Sequence, residues 1–339
     1  MLRRSTFLGA VLAGISPLVL RKAAFADSGD NDEFDPAMSA PSQALRVLLG
    51  RGAATPGAGG TFLFNGRPYR GTFSQTPDGF IVNTVSLEEY LYSVVPREMP
   101  PSWPLAALQA QAICARTYVL QRSNPRRNYD LVPSEVDQVY GGIASETPSG
   151  RDAVDATANQ VLHFGDSFAQ IMYSSCCGGH TEASSDAWGG APFAYLVGVV
   201  CPYCTASPEY RWQRVIEKDA LASVFATELT PYGELQNVRV SATDSSGRAK
   251  IVELAAERGS AFIKGSVFRS RAGARVIPSL LISKIEGTPG APDRFSVDGG
   301  GLGHGVGLCQ WGARGYAMAG GSPKDILALY FPGTDIVHD

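Results

Sequence analysis

The sequence predicts an α+β protein built from short strands and amphipathic helices. Three observations support this fold class. Gly and Pro are abundant, at 38 and 22 of 339 residues, which favours many turns and few long helices. Short β-rich runs follow residue 44, and two amphipathic helical patterns come directly after them. With 44% hydrophobic residues, the chain can bury a core in one large domain or in two lobes.

Residues 1–26 have the pattern of an export signal. Arg3 and Arg4 form a basic start, and an apolar stretch runs from Phe7 to Leu20. Ala24-Phe25-Ala26 then matches an A-x-A cleavage site. The paired arginines and the modest apolar run favour the twin-arginine route. An uncleaved anchor would need about 20 apolar residues, which this run lacks. We therefore expect an exported protein, in the periplasm, the cell envelope or the extracellular space.

The net charge of the mature chain limits the kinds of partner that it can bind. Cleavage after Ala26 would remove four positive charges and no negative ones, which moves the net charge from −3 to −7. An acidic protein without basic runs is a poor nucleic-acid binder, so we expect no nucleic-acid partner. Residues 27–43 begin with DSGDNDEFD and are predicted to be a flexible acidic linker. Residues 45–337 are predicted to be the folded domain.

The first predicted elements are strands. LRVLL, from Leu45, is one strand, and Asn65-Gly66 lies between two β-rich runs, which is a strong hairpin signal. Pro77-Asp78-Gly79 makes a turn before the strand FIVNTV.

Two helices are predicted next. Ser86 and Glu89 fit a capping box, and Pro96 is expected to stop this first helix. A second helix is expected after Ser102, a good N-cap. Its apolar stripe consists of Leu105, Leu108, Ala112, Ala115 and Val119. The stretch VVPREMPPSWP, residues 94–104, would then hold Glu98 in a rigid connector between the two helices.

The remaining patterns mix strands and helices. Residues 161–175 predict a hairpin around Gly165-Asp166, and residues 210–290 alternate strand and helix with a turn at 244–247. RFSVD is a further strand, followed by a glycine run and two helices. The last helix has Ser322 as its cap and Pro323 at its first position.

Glu98 is the first candidate for chemistry. Proline, methionine, valine and tryptophan surround it in the sequence, and desolvation by such groups favours the neutral acid and raises its pKa. A carboxyl group that stays protonated near neutrality can donate a proton to a leaving oxygen. The alternative is an exposed glutamate near a helix N-terminus, where the helix dipole favours the anion.

Arg116 is the second candidate. It follows Leu105 by 11 positions, which puts it within about 20° of that residue on the helical wheel. An arginine in an apolar stripe needs a partner or a substrate, because a buried unpaired charge is costly. Either it forms a structural ion pair, or it faces the cleft beside Glu98 and holds polar substrate groups.

A cysteine-rich region offers a metal site or disulfides. Cys177, His180, Cys201 and Cys204 have the spacing of four zinc ligands, with Cys176 as a fifth candidate. Exported cysteines commonly pair, so disulfides remain the alternative. Cys114 and Cys309 are expected to lie apart from this group. Cys114 is predicted on the polar side of its helix, where a catalytic thiol stays an open alternative.

The glycine-rich stretch DGGGLGHGVGLCQWGARGY, residues 298–316, predicts a binding site. Its glycines would let backbone amides approach a ligand closely. His304 and Gln310 offer hydrogen bonds, and Trp311 offers a flat face for a sugar ring. The alternatives are a buried, satisfied histidine and a tryptophan that packs in the core. A nucleotide loop is disfavoured because no βαβ unit follows and no lysine stands in the phosphate position.

Three stretches together resemble one family, the SpoIID/LytB proteins. They are SLEEYLYSVVPREMPPSWPLAALQAQAICARTYVL, QVYGG with the later YSSCCGGHTEASSDAWGG, and GLGHGVGLCQWGARGYAMAGGSPKDILALYFPGT. The resemblance spans roughly residues 45 to 337. Its most specific parts are E-M-P followed by A-x-x-A-R-T-Y, and the G-H-G-V-G run. Relatives often carry serine where this chain has Cys309, so no catalytic role is assigned to that hydroxyl.

The resemblance implies two lobes around a substrate cleft. It implies a lytic transglycosylase that acts on peptidoglycan glycan strands and prefers strands without stem peptides. Glu98 matches the family's E-M-P glutamate and would be the catalytic acid/base, with Arg116 lining the same cleft. Some relatives enhance cell-wall amidases, and some bind zinc near the S-x-G-G segment.

Three functional hypotheses therefore follow from the sequence. Ordinary glycosidases need two carboxylates, whereas a lytic transglycosylase can work with one and needs no cofactor. The first hypothesis is such an enzyme, with Glu98 as its acid and Arg116, His304, Gln310 and Trp311 binding the glycan. The second is a protein that binds glycan without cleaving it and helps a separate amidase. A third hypothesis is a zinc hydrolase at the cysteine-rich region, where a purely structural zinc is the alternative.

Overall fold

The computed structural model describes residues 44–123, 127–288 and 290–339. The predicted export signal and acidic linker lie outside the described residues. Within them, short strands in small sheets mix with helices, and the predicted α+β class is confirmed. No helix in these ranges has both the length and the apolar character needed to cross a membrane.

The first part of the fold consists of small antiparallel sheets. Its strands are β1 (Ala44–Arg51), β2 (Ala54–Pro56), β3 (Thr61–Phe64), β4 (Arg67–Arg70), β5 (Thr72–Gln75) and β6 (Phe80–Ser86). One sheet has the order β1-β6-β5 and the other β2-β3-β4. Asn65 and Gly66 join β3 to β4 with φ values of 49° and 78°, the left-handed geometry that a two-residue hairpin turn requires. The predicted hairpin is confirmed.

A helical hairpin follows these sheets. Its helices are α1 (Leu87–Glu98) and α2 (Leu105–Arg122), and α3 (Pro148–Asp155) packs against both. The predicted capping box is half formed: the Ser86 hydroxyl accepts a hydrogen bond from the Glu89 amide at 3.4 Å, and it donates to the Glu89 carboxylate at 2.9 Å.

Two predicted boundaries of this hairpin are wrong. Helix α1 does not stop at Pro96 but continues to Glu98. A proline this close to a helix end removes only one backbone hydrogen bond, and the Met99 amide still reaches the Val95 carbonyl at 3.0 Å. Helix α2 begins after Pro104 rather than Ser102, because Pro100 to Trp103 form a turn closed by a 3.0 Å backbone hydrogen bond.

The middle of the chain adds further strands and short helices. They are β7 (Gln160–Phe164), β8 (Ser167–Phe168), β9 (Tyr173–Ser174), α4 (Ser184–Trp188), β10 (Trp212–Glu217), α5 (Lys218–Val224), α6 (Ala226–Leu229), β11 (Leu235–Thr243), β12 (Ala249–Ala256), β13 (Gly259–Lys264), α7 (Gly265–Ala272), β14 (Leu281–Thr288) and β15 (Ala291–Gly300). Sheets β11-β12-β13 and β10-β15-β14 form the later half of this region. The predicted turn at 244–247 and the hairpin at Gly165-Asp166 are both present.

The last elements return to the first part of the fold. They are β16 (Leu308–Cys309), α8 (Gln310–Met318), α9 (Pro323–Tyr330) and β17 (Asp335–His338). Strand β16 pairs in parallel with β9, and β17 pairs with β7. Ser322 caps α9 and Pro323 stands in its first turn, as predicted, and Asp325 completes a capping box that was not predicted.

The described residues bury two hydrophobic cores. The first unites the helical hairpin with residues from both ends of the described chain, between Leu45 and Phe331. The second lies wholly between Trp212 and Val297, so it is an insertion into the first. Arg248, which is 1% exposed, ties them together by donating to the Cys177 carbonyl at 2.8 Å and the His180 carbonyl at 3.2 Å.

Candidate functional site

Glu98 is the last residue of α1 and is half-buried. The predicted rigid connector thus begins one residue later, and the carboxyl group stands at a helix C-terminus rather than between helices. The partial negative charge at this end of a helix opposes ionisation of a carboxyl group. This is the opposite of the helix N-terminus considered as an alternative from the sequence.

Burial raises the pKa of Glu98 above its ordinary value. A hydrogen bond from the Val139 amide to Oε1, at 3.2 Å, and another from the Gln310 side chain lower the pKa in part. The nearby negative charge of Glu135 raises it, and the positive charge of Arg97 lowers it. The net shift is upward, which keeps the group protonated at higher pH than an exposed glutamate.

Two buried glutamines lie beneath the Glu98 carboxyl group. Gln310 bonds Glu98, and its Nε2 also lies 3.4 Å from Oε1 of Gln111. The Nε2 of Gln111 is buried and has no acceptor among the described residues. Since buried donors are nearly always satisfied, this fully buried amide is suited to bind an internal water rather than the substrate.

Two tryptophans and an arginine flank the glutamines. Trp103, in the turn after α1, meets Trp311 of α8 edge to face, with ring centroids 4.9 Å apart. The guanidinium carbon of Arg314 lies 5.1 Å from the Trp311 centroid and 5.8 Å from that of Trp103. Trp311 directly follows Gln310 and Trp103 lies in the turn after Glu98, so both indoles belong to the segments that carry the acid and its hydrogen-bond partner. Half-buried indole faces of this kind suit the apolar faces of sugar rings.

The fold explains why these distant residues meet. Parallel pairing of β16 with β9 fixes the start of α8, and the Trp311 amide donates to the Ser175 carbonyl at 3.0 Å. Helix α8 then packs on α2, which carries Gln111. The structure thus brings the predicted residues Glu98 and Gln310 together, and it places Trp311 against Trp103 of the turn that follows Glu98.

Arg116 lies elsewhere. It is 1% exposed and binds both carboxylate oxygens of Glu88, at 2.8 and 2.7 Å. Its remaining contacts are the carbonyls of Gln160 and Val154. Glu88 and Glu98 are ten residues apart on α1, about 15 Å along the helix axis. Arg116 therefore takes the ion-pair alternative, and the predicted position beside Glu98 is not observed, because Glu88 and two carbonyls occupy its guanidinium.

His304 is held by the backbone on both ring nitrogens. Nε2 lies 3.0 Å from the Tyr173 carbonyl, and Nδ1 lies 3.0 Å from the Val306 amide. These contacts fit a neutral ring that donates from Nε2 and accepts at Nδ1. Burial lowers the pKa of His304 to about 4. This is the satisfied histidine of the alternative interpretation, not the predicted ligand for substrate.

The glycine run packs against the protein itself. A Cβ atom at Gly303 would lie 2.8 Å from Cβ of Ser174, and one at Gly305 would overlap the Arg248 guanidinium. Both residues also have positive φ values. The glycines therefore allow close packing between chain segments. The described contacts explain them without the predicted approach of a ligand to their amides.

The cysteine cluster contains Cys309 in place of the predicted His180. The sulfur atoms of Cys177, Cys201, Cys204 and Cys309 all lie within 4.8 Å of one another, and all four residues are buried. His180 instead contacts the Thr181 carbonyl at 2.6 Å. The prediction that Cys309 lies apart is wrong, because β16 carries it to the Cys177 segment, where the Cys177 amide donates to its sulfur at 3.2 Å.

The cluster fits a tetrahedral metal. The sulfurs of Cys177 and Cys204 are 3.7 Å apart, close to the roughly 3.8 Å between two ligands of a tetrahedral Zn–S₄ site. Each of the cysteines is a free thiol. Four protein ligands leave no open coordination position for water, so the cluster has the form of a structural site rather than a hydrolytic one.

Cys114 lies on a buried face of α2 and not on a polar one. It is 0% exposed, and burial raises the pKa of its thiol far above the ordinary value. A buried thiol of raised pKa is a poor nucleophile, which removes the basis for a catalytic thiol at this position.

Sequence reasoning missed Trp103, Gln111 and Arg314. Trp103 lies inside the proline-rich stretch, where the sequence indicates only an apolar neighbour of Glu98. Gln111 is a polar residue amid the alanines of α2, and Arg314 follows Gln310 by one helical turn. A polar residue inside an apolar helix face is the signal that would have identified Gln111.

Two family models match the chain. One, described as Stage II sporulation protein, matches residues 78–164, which include α1 and α2. The other, a domain of unknown function (DUF8618), matches residues 204–307, which include the second core.

Curated relatives extend the similarity across most of the chain. An uncharacterized protein of Brachyspira hyodysenteriae is 33% identical over 286 residues, 81% of this chain and 74% of that protein. Stage II sporulation protein D of Bacillus subtilis is 29% identical, over 75% of each chain. The amidase enhancer of Bacillus subtilis is also 29% identical, over 73% of this chain but only 40% of that longer protein. Given these similarities, the chain belongs to the SpoIID/LytB family.

Proposed function

We propose that the protein is a peptidoglycan lytic transglycosylase that uses Glu98 as its single acid/base. The observation that supports this proposal is the setting of Glu98: a half-buried carboxyl at a helix C-terminus, with a raised pKa, beside two tryptophan faces. The family's link to sporulation protein D and the amidase enhancer agrees with a role at the cell wall.

The chemistry requires only one carboxyl group. Protonated Glu98 donates its proton to the glycosidic oxygen as the bond from that oxygen to C1 of the muramic sugar breaks. The Glu98 carboxylate then takes a proton from the C6 hydroxyl of the same sugar while the C6 oxygen bonds to C1. The products are an anhydro-muramic end and a free hydroxyl on the departing sugar. No water is consumed, and Glu98 returns to its protonated form.

The surrounding residues would position the strand. The half-buried indoles of Trp103 and Trp311 can contact the faces of the sugar rings. Gln310 would stabilise the carboxylate form of Glu98 between the two proton transfers. Arg116 would act through α1, which it anchors, rather than on the strand.

The direct test compares the wild-type protein with Glu98→Gln on denuded glycan strands. We expect anhydro-muramic ends from the wild type and none from the variant, by mass spectrometry. Glutamine fills the same volume and removes the ionisation that burial opposes. Since ionisation of a group with a raised folded-state pKa destabilises the fold as pH rises through that pKa, the variant should melt no lower than the wild type at pH 7.

A second function is favoured by the amidase enhancer relative. In this alternative the same site binds glycan strands without cleaving them and helps a separate cell-wall amidase. Glu98→Gln would then leave both strand binding and amidase stimulation unchanged. Stimulation that persists in a variant without anhydro products would favour this alternative.

We also propose that Cys177, Cys201, Cys204 and Cys309 hold a structural zinc ion. Bound there, zinc would cross-link three chain segments and take no part in the glycan chemistry. Metal analysis of protein purified without added metal should find about one zinc per chain. Stoichiometric disulfides in place of metal would contradict this proposal.

Two further expectations stay proposals. The protein would act outside the cytoplasm, where its glycan substrate lies, after export through the predicted twin-arginine signal at residues 1–26. Its partners would be glycan strands and, in the second function, an amidase.

A further inference from the structure

Arg314 stands beside the candidate active site without a charge partner. Among the described residues, no carboxylate forms an ion pair with it and no carbonyl accepts a hydrogen bond from its guanidinium; its contacts are the faces of Trp311 and Trp103. Most other arginines near α1 are paired: Arg116 with Glu88, and Arg70 and Arg151 with Glu146. Arg314 is therefore fixed by aromatic contacts while its N–H donors stay available.

The position of Arg314 relative to the acid follows from helix geometry. It comes four residues after Gln310 on α8, so the two side chains lie on the same helix face, with Cβ atoms about 6 Å apart. Gln310 bonds the Glu98 carboxyl group. Arg314 thus lies about one helical turn from the residue that bonds the group proposed to protonate the glycan.

The glycan strand supplies an anion of matching shape. In a strand without stem peptides, the lactyl group of each muramic sugar ends in a free carboxylate, whereas an attached peptide converts that carboxylate to an amide. A guanidinium binds a carboxylate through two parallel N–H···O bonds, and it binds a neutral amide or ester less strongly.

We propose that Arg314, held by Trp103 and Trp311, binds the lactyl carboxylate of a muramic sugar next to the cleavage point. This inference rests on the proposed function for its ligand, the glycan strand. It makes Arg314 the residue that distinguishes denuded strands from peptide-bearing ones.

The test measures binding with Glu98→Gln as the background, so that no strand is cleaved. Denuded strands are compared with the same strands after methyl esterification, which removes the lactyl charge and leaves the sugars intact. We expect the Glu98→Gln protein to bind the free-carboxylate strand about tenfold more tightly, since a charge-assisted hydrogen-bond pair of this kind contributes at least that factor. Adding Arg314→Gln should abolish the preference, and Arg314→Lys should restore part of it.

Two controls separate a site from diffuse charge. Arg51 is an exposed arginine over the Phe80 ring, at 4.8 Å, so Arg51→Gln removes an equal charge and a similar ring contact elsewhere and should keep the preference. Arg97 is exposed and adjacent to Glu98. If Arg97→Gln lowers the preference as much as Arg314→Gln does, or if Arg314→Gln keeps it, the proposal is overturned.

The outcome is independent of the proposed chemistry. If the wild-type protein forms no anhydro ends but the esterification preference depends on Arg314, the lytic function fails and the binding inference stands. If anhydro ends form and the preference is absent from the Glu98→Gln protein, the lytic function stands and this inference fails. Inorganic phosphate that competes as well as N-acetylmuramic acid would also count against a carboxylate site.

Discussion

At the scale of single residues, opposing effects set the protonation of Glu98. Burial and the helix C-terminus favour the neutral acid, while the Val139 amide and the Gln310 side chain stabilise the anion. A residue that must first donate a proton and then accept one benefits from this balance. A substitution of Gln310 can therefore change the pKa of Glu98 while the carboxyl group itself is kept.

Gln310→Leu should move the alkaline limb of the pH profile upward. The hydrogen bond from Gln310 lowers the Glu98 pKa, so its loss raises that pKa and keeps the acid protonated to higher pH. We expect kcat/KM for anhydro-end formation to decline at higher pH than in the wild type, with a lower maximum. Gln109→Leu, at a half-exposed position of α2, is the matched control. An unmoved or lowered limb would rule out this role for Gln310.

At this scale, properties that depend on neighbouring residues could be predicted from the sequence, and contacts between distant segments could not. Sequence neighbours were enough to predict a desolvated acid at Glu98, because prolines, Met99 and Trp103 stand beside it in the chain. Contacts of Glu98 with Val139 and Gln310 could not be predicted, since they depend on how segments 41 and about 200 residues away are folded back. The choice between two partners for Arg116 was open for the same reason.

At the scale of elements, helix α1 has a glutamate in its first turn and another at its last residue, and the two have different roles. Glu88 in its first turn binds Arg116 of α2, and Glu98 at its last residue faces α8. Because Arg116 also bonds the carbonyls of Val154 in α3 and of Gln160 in β7, one guanidinium links α1 to α2, α3 and β7. This pairing determines where the far end of α1 places Glu98.

Glu88→Gln should destabilise the protein by about 2–3 kcal/mol. It leaves the buried Arg116 without a full counter-charge, and the partial exposure of Glu88 reduces the cost below that of a fully buried pair. Chemical denaturation measures the free energy of unfolding.

Arg116→Met combined with Glu88→Gln should cost less than the sum of the two single changes, since no unpaired charge remains. Additive effects would show that the pair does not couple α1 to α2. In variants that stay folded, anhydro-muramic ends should still form but more slowly, because Glu98 keeps its chemistry while α1 holds it less precisely.

Helix boundaries show what patterns can and cannot predict. Caps with local side-chain hydrogen bonds, at Ser86 and Ser322, were predicted correctly because every participating group lies within one turn. The end at Pro96 was wrong because the proline falls in a last turn that tolerates it, and the start at Ser102 was wrong because a proline-rich turn occupies that position.

At the scale of the whole molecule, the cysteine cluster lies where the inserted second core leaves and rejoins the first. Cys204 precedes the insertion, and Cys309 follows it and directly precedes Gln310. A metal bound here would close a loop of roughly 100 residues. It would also fix the start of α8, because the Cys309 sulfur accepts a hydrogen bond from the Gly312 amide at 3.3 Å.

Cys309→Ser should remove the metal while keeping the helix cap, since serine is a good N-cap. We expect zinc content to fall well below one per chain and stability to drop by about 3–5 kcal/mol, the range for a cross-link that closes a loop of this size. Cys114→Ser, at a buried cysteine outside the cluster, should leave the zinc content unchanged. Full zinc occupancy in Cys309→Ser would exclude the four-cysteine site.

The whole-molecule arrangement was only partly predictable. Mixed short strands and helices gave the α+β class from turn residues and periodicity alone. The four-cysteine set needed the pairing of β16 with β9, a contact between segments more than 130 residues apart that leaves no local pattern. Spacing therefore favoured His180, which is near Cys177 in the sequence but bonds Thr181 in the fold.

The most direct measurement of the central claim is mass spectrometry of denuded glycan strands after incubation with the mature protein and with Glu98→Gln. The account predicts anhydro-muramic ends from the wild type and none from a variant that melts at the same or a higher temperature. Intact strands from well-folded wild-type protein, or anhydro ends from Glu98→Gln, would contradict it.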